Sequence, residues 1–211
     1  VLMRYSVVSK MKNWNDGALP GEEYQEFGRD YQESIEIAQY LEKIGYAALD
    51  VDNGTYDSWY WPHPPVYMPE YCNLKDVTFL KKHVNIPVYC AGKMADPEVC
   101  NDEIAKGNID GVALARILLA DPEWANKAQA NIKDEIKPCI GCHIGCLGRL
   151  FQGKRMGCAV NPKCGSEICY HYEKSDIQKH IVIVGGGIAG MEAARAAAMK
   201  GHHVELFEAK N

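Results

Sequence analysis

The sequence has no apolar stretch approaching the about eighteen residues that a membrane-spanning helix needs. It has no run of lysine and arginine either, so nothing in it attracts a polyanionic backbone through counterion release. The charged and apolar regions of a secretory leader are missing from the N-terminus. These absences remove a membrane and nucleic acid from the expected partners and make the cytoplasm the expected location. Disorder is excluded by a composition that is 47% apolar and 24% charged, with a formal charge of −5 spread along 211 residues. Such a chain suffices for one large or two modest domains. An initiator methionine is lacking as well. The chain starts at Val1 and stops at Asn211, just after the second strand of what reads as a new domain, so a piece of a longer protein is expected.

Cysteine, in contrast, is abundant, with nine residues. In a chain expected to be cytoplasmic, thiols stay reduced and serve metal or redox chemistry more readily than a disulfide framework. Cys72, Cys90 and Cys100 are scattered among strand and helix signals, where a free thiol is ordinarily a small buried hydrophobe. The remaining six fall between Cys139 and Cys169.

Residues 1 to about 130 alternate strand and helix signals, the pattern of parallel βαβ units. Strands are expected at Leu2 to Val8, Tyr46 to Val51, Ile86 to Tyr89 and Val112 to Ala115. Helical spacing joins Ile37, Ala38, Leu41 and Ile44, with Gly45 as the stop, and again Leu74, Val77, Leu80 and Val84. The tripeptides Asp96-Pro97-Glu98 and Asp121-Pro122-Glu123 both read as helix starts: a capping carboxylate, a proline of preset φ, and an acid at the positive helix end. Four such units are either half of an eight-stranded barrel or a small doubly wound sheet. The pairs Gly92-Lys93 and Ala115-Arg116 close the third and fourth strands. In a barrel these turns would sit where backbone N–H groups and a cation meet a phosphate. Residues 53–71, NGTYDSWYWPHPPVYMPEY, form a long aromatic loop that would cover such a site. His63 or Tyr56 in it could supply a proton or a hydrogen bond, and a packing role is the alternative for each.

The stretch CIGCHIGCLGRLFQGKRMGC spaces Cys139, Cys142, Cys146 and Cys158 as C-x2-C-x3-C-x11-C. Four soft thiolates with no carboxylate select zinc or an iron–sulfur cluster. Three close cysteines and a remote one favour the cluster, since zinc ribbons pair two C-x2-C knuckles. Gly141, Gly145, Gly148 and Gly157 would let backbone N–H groups approach sulfide. Zinc remains the alternative at this point. His143 is a substitute ligand or a neighbour of the site, and Cys164 and Cys169 fall outside the pattern.

After a charged linker, HIVIVGGGIAGMEAARAAAMKGHHVELFEAKN sets Gly185, Gly187 and Gly190 as G-x-G-x-x-G between an apolar strand and an alanine-rich helix. The first glycine makes the turn, the second admits pyrophosphate, and the third packs helix on strand. Glu208 follows at the spacing of an acid that accepts from ribose hydroxyls.

These elements together resemble the iron–sulfur flavoenzymes of the Old Yellow Enzyme superfamily, in particular 2-enoate reductase and 2,4-dienoyl-CoA reductase. The segments RYSV, NGTYDSWYWPHPP, LLADPEWANKAQ, the CIGC loop, CAVNP and VIVGGGIAG carry the likeness over nearly the whole chain. The resemblance implies an α/β architecture in three parts. Residues 1–133 would be the second half of an FMN-binding TIM barrel, 134–178 a 4Fe-4S segment at Cys139, Cys142, Cys146 and Cys158, and 179–211 the start of a Rossmann-type FAD/NAD(P)-binding domain. Arg4 matches the family arginine at the flavin N1/O2 edge, and Gly92, Lys93, Ala115 and Arg116 match the FMN-phosphate residues. Electrons would run from NAD(P)H to FAD, singly through the cluster to FMN, and as hydride to the β-carbon of an activated alkene.

A small unsaturated molecule is thus the expected partner, and a homo-oligomer is compatible with the reading. Ile117 stands where the family usually has proline after the arginine. The family's tyrosine acid belongs to a barrel half that this chain lacks, so no catalytic acid is assigned and the fragment alone is expected to be inactive. An amine dehydrogenase of the same superfamily is the first alternative, disfavoured by the x3 spacing. A non-catalytic electron-transfer or zinc module is the second.

Overall fold

The computed structural model describes residues 1–170 and 172–210. They divide into two compact units, Val1–Gly165 and a second that begins at Ser166. Among the described residues no helix is long and apolar enough to cross a membrane.

The first unit opens with β1 (Leu2–Ser6), followed by a small antiparallel hairpin of β2 (Met11–Asn13) and β3 (Asp16–Gly17). Then come α1 (Tyr31–Lys43), β4 (Ala48–Asp52), α2 (Leu74–Lys81), β5 (Val88–Ala91), α3 (Pro97–Ala105) and β6 (Gly111–Ala113). Strands β1, β4, β5 and β6 form one parallel sheet in that order, with Leu2 opposite Ala48, Leu49 opposite Val88 and Tyr89 opposite Gly111. Short helices α4 (Arg116–Ala120), α5 (Trp124–Gln129) and α6 (Leu147–Leu150) complete the unit, with a 3-10 turn at Lys133–Glu135.

Helix α1 is fixed at its start by Asp30, whose side chain accepts from the Glu33 N–H, and ends at Gly45, whose φ of 96° suits glycine. Its buried face, Ala38 and Leu41, packs on the sheet, and α2 does the same with Val77 and Leu80. Leu49, Val51 and Val88 meet them from the strands with no exposed surface. Each such side chain contributes about 1.5–3 kcal/mol of transfer free energy, so the sheet–helix layer is the main source of this unit's stability.

Several expected boundaries change: the first strand ends at Ser6 instead of Val8, and the second runs Ala48–Asp52 instead of starting at Tyr46. The third strand begins at Val88 instead of Ile86, because Pro87 has no N–H to pair and the ladder starts from its carbonyl, which accepts from Leu49 N–H at 2.9 Å. The fourth strand ends at Ala113, and Ala115 already turns into α4. Asp96 caps α3 as expected, but Asp121 instead closes α4, and α5 starts only at Trp124.

The second unit contains β7 (His180–Val184), α7 (Ile188–Met199) and β8 (His203–Phe207), a βαβ unit with parallel register from His180–His203 to Val184–Phe207.

Candidate functional site

A cavity of about 630 Å³ opens at the C-terminal ends of the parallel strands. Its lining includes Arg4 and Asp50 from β1 and β4, Gly92 and Lys93 after β5, and Ala115 and Arg116 after β6. All five residues singled out for the FMN site therefore meet in one place, in a volume ordinary for a small-molecule site. Leu114, Ile117, Leu147 and Met156 supply apolar walls.

The parallel register puts Arg4 opposite Asp50. Its guanidinium donates to both oxygens of Asp50 at 2.7 Å and also pairs with Asp52. Burial pushes the Asp52 carboxyl up to about 6 despite that cation. Lys93 Nζ lies 2.8 Å from Glu70 and donates to the Met68 carbonyl at 2.6 Å. Arg116 donates to the Pro64 carbonyl at 2.9 Å and touches His143 Nε2. Gly92 has φ 116°, and a Cβ there would strike the Asn73 amide, which donates to the carbonyls of Ala91 and Trp61. Asn73, Asn53 and Asp76, which sequence reading did not single out, thus fix the turn. No spacing rule marks them, because their partners are distant in the chain.

The aromatic loop does reach the cavity, through Pro62, His63 and Pro64. Burial, then the nearby Arg116 and Arg4, push the His63 imidazole down to about 4. Its ring packs on Trp59 at 4.1 Å. Tyr56 is 87% exposed, stacks on the outside of Trp59 and does not line the cavity.

The four pattern cysteines line a second, much smaller cavity of about 20 Å³. Each is a half-buried thiol outside any disulfide. The two arms of the loop are joined by Gly157 N–H donating to the Gly145 carbonyl at 2.7 Å, an approach that a Cβ on Gly145 would block. Gly141, with φ 64°, lies against the backbone of Val66. Burial raises the Cys139 thiol, while the Gly141 N–H and Arg116 oppose that effect. Burial and then Arg116 lower His143, which lines the same cavity. Cys164 and Cys169 do not line it.

Four soft thiols lining one cavity are a donor set for zinc or for an iron–sulfur cluster. Arg116, Leu119, Cys139 and Cys146 line both cavities.

In the second unit Gly185 has φ 107°, and Gly187 caps α7 without any side chain over the helix start. A Cβ on Gly187 would meet nothing within 4 Å, which leaves the first turn open to an anion. A Cβ on Gly190 would collide with the Gly185 carbonyl. The Glu208 carboxylate accepts from Lys210 N–H and Gly186 N–H, bonds that lower its pKa, and so lies beside the turn. These features fit a dinucleotide.

The chain is similar to known proteins over nearly its whole length. The sequence profile of the NADH:flavin oxidoreductase / NADH oxidase family matches residues 19–135, and that of the NAD(P)-binding Rossmann-like domain matches residues 183–211. Cinnamate reductase of Clostridium sporogenes is 49% identical over 208 residues, which are 99% of this chain and 31% of that protein. NADH oxidase of Thermoanaerobacter brockii is 41% identical over 90% of this chain and 29% of its own length. The structure of 2-naphthoyl-CoA reductase in complex with 2-naphthoyl-CoA superposes with a TM-score of 0.83 at 28% identity, over 97% of this chain and 29% of that one. The chain therefore spans about 30% of the length of these relatives.

Proposed function

The chain belongs to the NADH:flavin oxidoreductase / NADH oxidase family, and from this we propose that it is part of a longer iron–sulfur flavoprotein that reduces activated carbon–carbon double bonds. In this reading residues 1–133 are the second half of an FMN-binding barrel, 134–178 hold a 4Fe-4S cluster, and 179–211 begin an FAD/NAD(P)-binding domain. The strand order β1, β4, β5, β6 supports the barrel, because a doubly wound sheet reverses its order at a switch point. One observation carries the functional reading: the thiol cage and the large cavity share Arg116, Leu119, Cys139 and Cys146 as a common wall. A redox centre one side chain away from a flavin-sized cavity suits a relay.

The chemistry that FMN supplies when bound is hydride transfer to an alkene carbon, and that of the cluster is one-electron transfer. The residues of this chain prepare the site for both. Arg4, locked by Asp50 and Asp52, presents a permanent cation where an electron-rich ring edge would lie. The Gly92-Lys93 and Ala115-Arg116 turns offer N–H groups and cations to a phosphate. His63, neutral at ordinary pH, keeps a proton on one ring nitrogen and can donate it as a hydrogen bond to a substrate carbonyl oxygen. Pro62 and Pro64 flank His63 in the cavity wall, and Trp59 packs on its ring. Cys139, Cys142, Cys146 and Cys158 would ligate the cluster, and Gly185, Gly187, Gly190 and Glu208 would bind FAD. The substrate class, an aryl-conjugated enoate, is supported by the name of one relative, cinnamate reductase, and a second relative is named for reducing an aromatic acyl thioester.

Anaerobic purification of the whole polypeptide that carries this chain tests the proposal. It is expected to contain flavin, iron and acid-labile sulfide, and to consume NADH only when a cinnamate-type acid or thioester is present. A colourless zinc protein would overturn the cluster. A coloured protein that leaves the alkene intact and oxidises an amine would overturn the substrate class.

A further inference from the structure

Beyond the redox reading, and independent of it, the second unit carries a group of metal-ligating side chains that neither the cluster nor the nucleotide uses. The parallel register pairs His180, the first residue of β7, with His203, the first residue of β8. Side chains alternate faces along a strand, so Glu205, two residues on, shares the face of His203. The two imidazole centroids lie 5.1 Å apart, inclined at 34°. His180 Nε2 is 3.0 Å from Glu205 Oε1. One ligand atom from each of the three residues lies within 4.8 Å of the others, and all three side chains are exposed.

We propose that His180, His203 and Glu205 bind a divalent cation of the zinc class at the N-terminal ends of β7 and β8. The donor set selects the ion: imidazole nitrogen suits zinc, nickel or copper, whereas calcium and magnesium take oxygen ligands. Bonds of about 2.0–2.2 Å from a tetrahedral ion would draw the three donors to about 3.4 Å apart. Exposed side chains can make that adjustment by small torsions, and water fills the fourth position. An ordinary ion pair offers a simpler account of His180 and Glu205, but it needs one imidazole. The second ring, held on the same face by the strand register, converts the pair into a chelate. The glycine turn lies at the opposite end of β7, four residues or roughly 13 Å away at strand rise, so bound nucleotide and bound ion would not compete.

Equilibrium dialysis of the anaerobically purified whole polypeptide against zinc, with zinc-edge X-ray absorption to identify the donors, tests this. One zinc per chain with only nitrogen and oxygen neighbours is expected. Loss of a second-shell partner typically weakens a metal site 10–100-fold, so removal of a ligand in His203→Gln or Glu205→Gln should weaken binding by more than about 100-fold. His202→Gln, which alters the adjacent imidazole bonded to the Lys179 N–H, should retain affinity within about twofold. Unchanged circular dichroism would establish that the exposed substitutions preserve the fold. Zinc found only among sulfur neighbours, no zinc retained, or His203→Gln binding as tightly as the parent would each overturn the proposal.

Discussion

A methyl group on Gly190 would occupy the space of the Gly185 carbonyl, whereas one on Gly187 would meet nothing within 4 Å. The two glycines therefore fail differently. Gly190→Ala should push α7 off its strand and lower the melting temperature of the second unit. Gly187→Ala should melt as the parent does but lose nucleotide affinity, because the added carbon stands in the path of the pyrophosphate. Calorimetry with and without added FAD separates these outcomes, and equal melting of the two variants would refute the distinction. His63 gives a second prediction. Its pKa lies at about 4, below the 6.5 of a free imidazole, because burial and the cations Arg116 and Arg4 oppose its protonation. The unfolded chain then binds more protons between these values, so the stability that His63 contributes is present above about 6.5 and is lost as pH falls towards 4. Proton NMR of the ring should show a midpoint near 4, and His63→Gln should flatten this part of the acid-stability curve. A midpoint at the free value would remove the buried, neutral role. Sequence reading put His63 and Tyr56 in one loop as equal candidates; only the folded loop turns one inward and the other out, since an aperiodic loop carries no pattern of side-chain direction.

Between elements, the aromatic loop is anchored by a buried polar network. Asp76 of α2, 4% exposed, pairs with Lys10 at 2.7 Å and accepts from Asn53 at 2.7 Å and from Tyr31. Asn53 also donates to Asn73, which holds the Ala91 and Trp61 carbonyls. Removing one partner of a buried ion pair costs about 3–5 kcal/mol, because the other charge is left uncompensated. Asp76→Ala should therefore destabilise the first unit by about 3 kcal/mol and Asp76→Asn by less. Denaturant titration followed by tryptophan fluorescence reads this directly, since Trp14, Trp59, Trp61 and Trp124 all lie in that unit. A loss below about 1 kcal/mol for Asp76→Ala would show that water already screens the network. Local signals were legible at this scale where local contacts decide the outcome, as at Gly45 and Asp96. The Asp121 tripeptide looked the same, and its carboxylate does accept from the Glu123 N–H at 3.1 Å, but it also takes Lys127 and the distant Lys137 N–H, and α5 begins only at Trp124. Local sequence cannot report a competing partner sixteen residues away.

For the molecule as a whole, the four-thiol convergence and the strand–glycine–helix order were legible because spacing alone expresses them. The shared wall was not, since it depends on how the cysteine loop folds back over the strand ends. That wall yields the last prediction. Cys142 and Cys158 line only the thiol cage, whereas Cys139 and Cys146 line both cavities. If the two cavities hold separate cofactors, Cys142→Ser and Cys158→Ser should abolish iron and sulfide incorporation while flavin content stays near one per chain. Cys139→Ser and Cys146→Ser should disturb both. In the parent, partial reduction should broaden the electron paramagnetic resonance signals of flavin and cluster through their proximity, and the broadening should vanish in Cys158→Ser. Loss of flavin and iron together in Cys158→Ser would mean that the cage is a structural support for the large cavity, and the relay would then have no separate first station.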